Sequence, residues 1–171
     1  TIPHALIAAY AGDTVKATKA FAESIEGVDV IALVDYDNDS VKTSLDVARA
    51  LDGRLWGVRL DTAETMVDKS VVPQMGPFKP TGVNLQLVWN VRNALDAEGY
   101  GDVKIIVSGG FDAARIQAFE DEGAPVDAYG VGAAVFEGRF DFTADIVQVN
   151  GKAQAKAGRK VIENPRLERV K

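Results

Sequence analysis

Short apolar runs alternate along the chain with stretches in which apolar residues recur at helical spacing. Four runs are almost wholly apolar and rich in β-branched residues, and they predict buried strands at 28–35, 55–61, 103–108 and 126–131. Strands that are apolar on both faces are typical of a sheet covered by helices on both sides. We therefore expect an α/β fold with parallel strands joined by right-handed crossovers.

The helical spacing predicts one helix up to Leu51, a second that ends near Gly99 and a third closed by residues 123–125. Two further helices are predicted around residues 3–11 and 13–25. The remaining segments contain a loop rich in proline and glycine at 69–82, and an antiparallel pair whose clearest strand runs from Phe140 to Val149.

Composition limits the chemistry. The chain has no cysteine and one histidine, which excludes disulfides, thiolate zinc sites, iron–sulfur clusters, a cysteine nucleophile and multi-histidine metal sites. A magnesium site formed by carboxylates remains compatible with the composition, but the sequence does not indicate which residues would form it. Lack of cysteine also fits a reducing compartment, so we expect a cytoplasmic protein. We expect Trp56, Trp89 and Phe119 in the core rather than in contact with a cofactor.

Charge is unevenly distributed. The net charge is −6, but residues 1–150 carry 12 basic and 23 acidic side chains, whereas residues 151–171 carry 7 basic and 2 acidic ones. An acidic body argues against nucleic acid as a partner, and the basic segment is expected to be a solvated tail. No apolar stretch is long enough to span a membrane. The chain begins with Thr1 rather than Met, so we expect a fragment or a processed product.

Each predicted strand ends in polar or glycine residues. Asp35 follows the first strand, Arg59 and Asp61 end the second, and the third and fourth run into 108–110 (Ser-Gly-Gly) and 130–132 (Gly-Val-Gly). In parallel α/β folds ligands bind at the carboxyl ends of the strands. The two glycine turns predict backbone N–H groups that bind phosphate, because glycine allows a close approach.

The other polar residues at these ends allow two interpretations each. Arg59 and Asp61 face the same side of a strand and could bind an anionic substrate and a sugar hydroxyl, or form a structural ion pair. Asp35 could orient a histidine, hold magnesium, or be an ordinary strand-end carboxylate. His4, taken alone, is more often structural than catalytic. Asp112 is expected to cap the helix that follows the third strand.

Five motifs stand in order along the chain: Thr-Ile-Pro-His, Ala-Leu-Val-Asp-Tyr-Asp-Asn-Asp, Leu-Trp-Gly-Val-Arg-Leu-Asp-Thr, Val-Ser-Gly-Gly-Phe-Asp and Pro-Val-Asp-Ala-Tyr-Gly-Val-Gly. Together they resemble the carboxyl-terminal half of archaeal-type nicotinate phosphoribosyltransferases, from Thr1 to about Arg169. The resemblance implies part of an irregular α/β barrel of the type II phosphoribosyltransferase kind, with the barrel portion at 1–136. Residues 137–171 would form a strand pair and a basic tail that return to a missing amino-terminal domain.

The resemblance also implies an activity. The family joins nicotinate to phosphoribosyl pyrophosphate, giving nicotinate mononucleotide and pyrophosphate in NAD biosynthesis, with coupled ATP hydrolysis. Mg²⁺ and ATP are the implied cofactors, and a homodimer or higher oligomer is the implied assembly. Because the missing half supplies further contacts, we expect little or no turnover from this chain alone.

Site residues follow from the resemblance position by position. His4 matches the histidine phosphorylated by ATP, and Asp35 matches a carboxylate beside it. Arg59, Asp61 and Thr62 match positions that bind the pyridine ring and the ribose, although Ala63 stands where many relatives have glycine. The residues that match the phosphate loops are Ser108, Gly109, Gly110, Gly130 and Gly132.

Three alternatives remain open from the sequence. A quinolinate phosphoribosyltransferase-like enzyme would have a similar fold and use no ATP. A phosphate-binding barrel lyase or isomerase would place a Lys or Glu base at a strand end, where this chain has no lysine. A non-catalytic phosphate-binding barrel fragment would bind a nucleotide or a partner without turnover.

Overall fold

The computed structural model describes residues 1–136, 138, 144–166 and 168. The chain divides into two compact units, Thr1–Glu137 and Gly138–Lys171. Among the helices of the described ranges, none combines the length and apolarity needed to cross a membrane.

The first unit is built on a four-stranded parallel sheet. Its strands are β1 Val30–Leu33, β2 Leu55–Leu60, β3 Lys104–Val107 and β4 Ala128–Tyr129, and they stand side by side in chain order. The predicted α/β class with parallel strands is confirmed, and the sheet is consistent with an incomplete barrel. One row of paired residues crosses it, namely Leu33, Arg59, Ile106 and Ala128.

Five helices lie between and before the strands. They are α1 His4–Ala9, α2 Thr14–Ser24, α3 Ser40–Leu51, α4 Leu85–Ala97 and α5 Ala113–Asp121. Two short 3-10 turns occur at Val72–Gln74 and Ala133–Phe136, the first of them inside the predicted long loop. The predicted cap of α5 is confirmed, because the side chain of Asp112 accepts a hydrogen bond from the first turn of that helix; Asp39 caps α3 in the same way.

The core lies on both faces of the sheet, as the continuous apolar strands predict. The larger cluster packs Val58 and Leu60 of β2 against α3 and α4, and a smaller cluster surrounds Leu33. Two aromatic predictions are wrong. Trp56 is 38% exposed and Trp89 is 42% exposed, whereas Phe119 is buried as expected.

The exposure of Trp89 has a simple geometric cause. The buried face of α4 is formed by Leu87, Val88, Val91 and Leu95, which fall within about 100° of the helix circumference. Trp89 follows Val88 by a further 100° turn, so it points away from the sheet. Apolar character alone therefore placed Trp89 in the core incorrectly.

The described part of the second unit contains one antiparallel hairpin, β5 Gln148–Val149 with β6 Lys152–Ala153. The turn residues Asn150 and Gly151 both have positive φ, 49° and 76°, which is the pattern of a type I′ hairpin turn. The predicted long strand from Phe140 to Val149 is wrong over residues 144–147, which have no paired strand; residues 140–143 lie outside the described residues. A partner strand of only two residues limits the pairing.

Candidate functional site

The carboxyl ends of β2, β3 and β4 are joined by hydrogen bonds that continue beyond the strands. The backbone N–H of Ser108 donates to the carbonyl of Leu60 (2.9 Å), and that of Gly130 donates to the carbonyl of Val107 (2.7 Å). The hydroxyl of Ser108 donates to Asp61 Oδ1 at 2.7 Å. The predicted convergence of these strand ends on one edge is therefore present in the structure.

The turn after β3 has the backbone that its glycines predict. Gly109 and Gly110 have φ values of +86° and +72°, in the left-handed region that disfavours residues with a Cβ. A Cβ at Gly109 would also lie 3.3 Å from Asp61 Oδ1. No carbonyl of the described backbone accepts a hydrogen bond from the N–H of Gly109 or Gly110. These N–H groups can therefore donate to a ligand.

The turn after β4 lies next to the turn after β3. A cavity of about 100 Å³ separates them and is lined by Gly110, Phe111, Asp112, Gly132, Ala133 and Ala134. Sites for whole small molecules usually measure about 300–1,000 Å³, so this cavity suits a single group rather than a complete nucleotide. The lining residues lie just before α5 and at the start of the 3-10 turn. Backbone N–H groups at the start of a helix favour an anion.

Arg59 and Asp61 end β2 on the same face, as predicted. Their closest charged atoms, Nη2 and Oδ2, are 4.0 Å apart, which is at the outer limit of an ion pair. The Arg59 side chain is 23% exposed, and its Nε is buried without a hydrogen-bond partner among the described residues. A structural ion pair therefore accounts poorly for Arg59, since most of its donors are not used by Asp61.

His4 and Asp35 meet at the end of β1. His4 Nε2 lies 3.3 Å from both carboxylate oxygens of Asp35. The histidine is about half exposed, whereas the side chain of Asp35 is nearly buried. Burial raises the pKa of Asp35, although the neighbouring His4 opposes that shift and nearby Asp61 adds to it. The predicted proximity of Asp35 to the only histidine is thus present.

Thr62, unlike Arg59 and Asp61, is not exposed at the carboxyl edge of the sheet. This residue is 2% exposed, and its hydroxyl is buried without a partner among the described residues. Its predicted contact with substrate therefore finds no exposed donor or acceptor.

Two residues that the sequence analysis missed also contact this edge. The guanidinium of Arg115, in α5, donates to the carbonyls of Gly109 and Gly110, and Glu64 Oε1 lies 3.5 Å from Arg115 Nη1. The sequence held one signal: an arginine in the first turn of a helix is unfavourable beside the positive end of the helix dipole.

No group of three His, Asp or Glu side chains within the described ranges could enclose a metal ion. Mg²⁺ commonly takes only one or two protein carboxylates and completes its shell with water and substrate phosphate oxygens. The charge of Asp61 contributes to the raised pKa of Asp35, so the two carboxylates lie near each other and are suitable donors for such an ion.

This geometry defines a class: a parallel α/β fold with glycine turns for an anion at the carboxyl edge of its sheet. No family model matches the chain. The chain is similar to the crystal structure of nicotinate-nucleotide pyrophosphorylase from Pyrococcus furiosus, with 41% sequence identity and a TM-score of 0.64. The match covers 94% of this chain but 37% of that one, so this chain spans little more than a third of its length.

The comparison corrects one expectation from the sequence. A nicotinate phosphoribosyltransferase with coupled ATP hydrolysis is the wrong assignment, since the similar structure supports the quinolinate-type alternative. It supports the type II phosphoribosyltransferase fold in general. The expected ATP coupling depended on the match of His4 to a phosphorylated histidine. The other four of the five motifs lie on strands and strand-end turns of the sheet. They therefore indicated the fold more reliably than the energy coupling.

Proposed function

We propose that this chain carries the phosphate-binding part of a quinolinate-type phosphoribosyltransferase. Such an enzyme joins a pyridine carboxylate to phosphoribosyl pyrophosphate without ATP. When the pyridine is quinolinate, which has two carboxylates, the products are nicotinate mononucleotide, pyrophosphate and CO₂. The observation that carries the proposal is the 100 Å³ cavity between the two glycine turns, on the sheet edge that also holds Arg59 and Asp61.

The cavity is the proposed site of the 5′-phosphate of the nucleotide. Its size fits one phosphate, and Gly110 and Gly132 are among its lining residues. Backbone donors bind an anion through their partial positive charges, so a cavity whose described lining includes no lysine or arginine can still hold a phosphate. Ser108 holds the turn by donating its hydroxyl to Asp61, so this serine supports the site through Asp61.

Arg59 and Asp61 are the proposed contacts for the rest of the nucleotide. Arg59 would pair with a pyridine carboxylate, for which its planar guanidinium is suited. Asp61 has one carboxylate oxygen occupied by Ser108 and the second 4.0 Å from Arg59. That second oxygen could accept a hydrogen bond from a ribose hydroxyl.

His4 and Asp35 are proposed to act near the pyrophosphate. Asp35 lies 3.3 Å from Nε2 of His4 and would hold the imidazole in place, where a ring N–H could donate a hydrogen bond to the departing pyrophosphate. Mg²⁺, when bound through Asp35 or Asp61 and phosphate oxygens, would supply further positive charge to the same leaving group.

Titration with nicotinate mononucleotide, followed by calorimetry or NMR, tests the proposal. Binding rather than turnover is the measurement, because this chain spans 37% of the similar protein. Arg59→Ala removes a charge-assisted contact and is expected to weaken binding at least about tenfold. Gly109→Val is expected to weaken binding as well, because a φ of +86° disfavours a Cβ and the added side chain would meet Asp61 Oδ1. Gly53→Val is the matched control, since Gly53 has a similar φ of +79° and no atom within 4 Å of a Cβ placed there.

Two results would contradict the proposal. Folded wild-type chain that does not bind the nucleotide would refute a preformed phosphate site in this chain. Binding that Gly109→Val and Gly53→Val weaken equally would show that backbone strain, and not the turn after β3, accounts for the loss.

A further inference from the structure

Arg115 occupies a position in α5 that its helix disfavours. It lies in the first turn, where its backbone N–H donates to the capping carboxylate of Asp112 at 2.8 Å. A cation in the first turn meets the positive end of the helix dipole. The capping carboxylate of Asp112 compensates for part of this cost. The rest must be offset by contacts of the Arg115 side chain elsewhere in the fold.

The side chain of Arg115 turns back to hold two loops by their carbonyls. Nη1 donates to the carbonyl oxygens of Gly109 (2.8 Å) and Gly110 (3.2 Å), and Nη2 donates to that of Val83 (2.6 Å). The guanidinium carbon also stacks 4.2 Å from the centroid of the Phe111 ring, which is buried. One side chain thus connects the turn after β3 to the loop that leads into α4.

These contacts determine where the donors of the turn point. In a trans peptide the C=O and the next N–H point in opposite directions. Because Arg115 holds the carbonyls of Gly109 and Gly110, the N–H groups of Gly110 and Phe111 are directed away from the guanidinium. Both of these residues line the 100 Å³ cavity.

The turn needs such an external contact because glycine does not restrict its own backbone. Two consecutive glycines at φ +86° and +72° can adopt many other conformations, so the turn has little intrinsic preference for this one. Holding the donors in place before the anion arrives removes an ordering cost from binding.

We propose that Arg115 is a positioning residue for anion binding: it does not touch the anion, and it orients the N–H groups of Gly110 and Phe111 by holding the carbonyls on the other side. This inference rests on the proposed phosphate site. It differs from a direct role, because the guanidinium uses its Nη donors on backbone carbonyls.

The test is titration of the full chain with inorganic phosphate, following the amide resonances of Gly109, Gly110 and Phe111 by NMR. Arg115→Met is expected to weaken phosphate binding at least about tenfold, because it removes the charge-assisted hydrogen bonds that orient the N–H groups of Gly110 and Phe111. Arg115→Lys is expected to lose nearly as much, because one ammonium cannot reproduce the fork that holds two loops. In Arg115→Ala, added guanidinium ion should restore part of the binding, and ammonium should not.

Arg92 provides a matched control. It also donates to two backbone carbonyls, those of Val103 (2.7 Å) and Tyr100 (2.9 Å), but these precede β3 and lie away from the glycine turns. Arg92→Met should cost stability in the same way and leave phosphate affinity unchanged.

The outcomes separate the inference from the proposed function. Phosphate affinity that is the same in Arg115→Met and wild type would overturn the inference, as would equal losses in Arg115→Met and Arg92→Met. Full binding by Arg115→Lys would indicate a direct charge effect instead. If the wild-type turn does not respond to phosphate, the phosphate site itself is refuted. If phosphate binding depends on Arg115 but nicotinate mononucleotide does not bind, the inference stands and the proposed function falls.

Discussion

Gly130→Ala tests whether the strand ends are packed as closely as the structure shows. A Cβ added at Gly130 would lie 3.0 Å from Cβ of Ser108 and 3.5 Å from the carbonyl oxygen of Val107. Ser108 cannot move freely, because its N–H and its hydroxyl are bonded to Leu60 and Asp61. The φ of Gly130 lies outside the left-handed region, so backbone strain does not add to the effect. The contact alone determines the result.

The expected cost follows from these contacts. Adding a methyl group to a closely packed position costs about 1–3 kcal/mol. If Ser108 is displaced from Asp61 instead, the lost hydrogen bond to a charged group costs about 1.5–3 kcal/mol. The packing cost and the hydrogen-bond cost do not add, because moving Ser108 away from Asp61 relieves the close contact. We therefore expect Gly130→Ala to lower the free energy of unfolding by about 1–3 kcal/mol.

Gly132→Ala is the matched control two residues further on. A Cβ at Gly132 meets nothing within 4 Å, and its φ is also outside the left-handed region. A glycine-to-alanine change at such a position is expected to stabilise by about 0.4–1 kcal/mol, because it restricts the unfolded chain. The two variants are therefore expected to shift stability in opposite directions.

Urea denaturation followed by tryptophan fluorescence measures both changes, since Trp56 and Trp89 belong to the unit Thr1–Glu137. Ser108→Gly removes the atom that the new methyl would contact, so Gly130→Ala should cost much less in that background. The reasoning fails if Gly130→Ala and Gly132→Ala shift the midpoint alike. It also fails if Ser108→Gly leaves the cost of Gly130→Ala unchanged.

Three further predictions use the same chain. Gly57→Ala should destabilise by about 1–3 kcal/mol in urea denaturation, since its Cβ would lie 2.8 Å from Cδ1 of Ile106; a neutral effect would show that β2 and β3 can separate. Burial raises the pKa of Asp35, so the charged carboxylate lowers the stability of the folded chain at neutral pH. Asp35→Asn should therefore raise the urea midpoint at neutral pH. This increase should vanish below the ordinary aspartate pKa of about 4, where the carboxyl is protonated in both the folded and the unfolded chain. A gain that grows towards acid pH would contradict this. Burial and a hydrogen bond to Glu120 raise the pKa of Tyr129 to about 12, and ultraviolet titration of Glu120→Gln should show a lower pKa.

The arrangement of strands and helices was largely predictable from the sequence. The predicted strand at 55–61 corresponds to β2 Leu55–Leu60, and the predicted helix at 13–25 corresponds to α2 Thr14–Ser24. These elements have a continuous apolar run or a capped amphipathic pattern, so local sequence and tertiary packing favour the same structure. In the second unit the apolar pattern predicted a strand that includes residues 144–147, but only Gln148–Val149 of the described residues pair as a strand.

The candidate site was predictable where it depends on backbone. Gly109 and Gly110 were identified because only glycine readily adopts the conformation that the turn requires. Arg59 and Asp61 were identified because side chains two apart on a strand share a face. The contact predicted for Thr62 stays a prediction; its hydroxyl is buried, which a position next to Asp61 in sequence does not reveal.

The position of Arg115 in a first helical turn was a local signal, but its role could not be predicted from it, because one of its contacts is with a residue distant in sequence. Its side chain reaches Val83, whose position depends on the course of the whole loop before α4. Prediction of the energy coupling failed for a related reason. The motifs carry strands and turns of the fold, and the same fold can support different reactions.

Features that cost stability are concentrated at the carboxyl edge of the sheet. Two glycines there have left-handed backbones, Asp35 has a raised pKa through burial, and Arg115 opposes the dipole of its own helix. Arg115 binds the carbonyls of the glycine turn, which offsets part of the cost of its own position and of the glycine backbones. Within the described residues the N–H groups of Gly109 and Gly110 have no backbone acceptor, so the same edge that bears these costs also carries donors available to an anion.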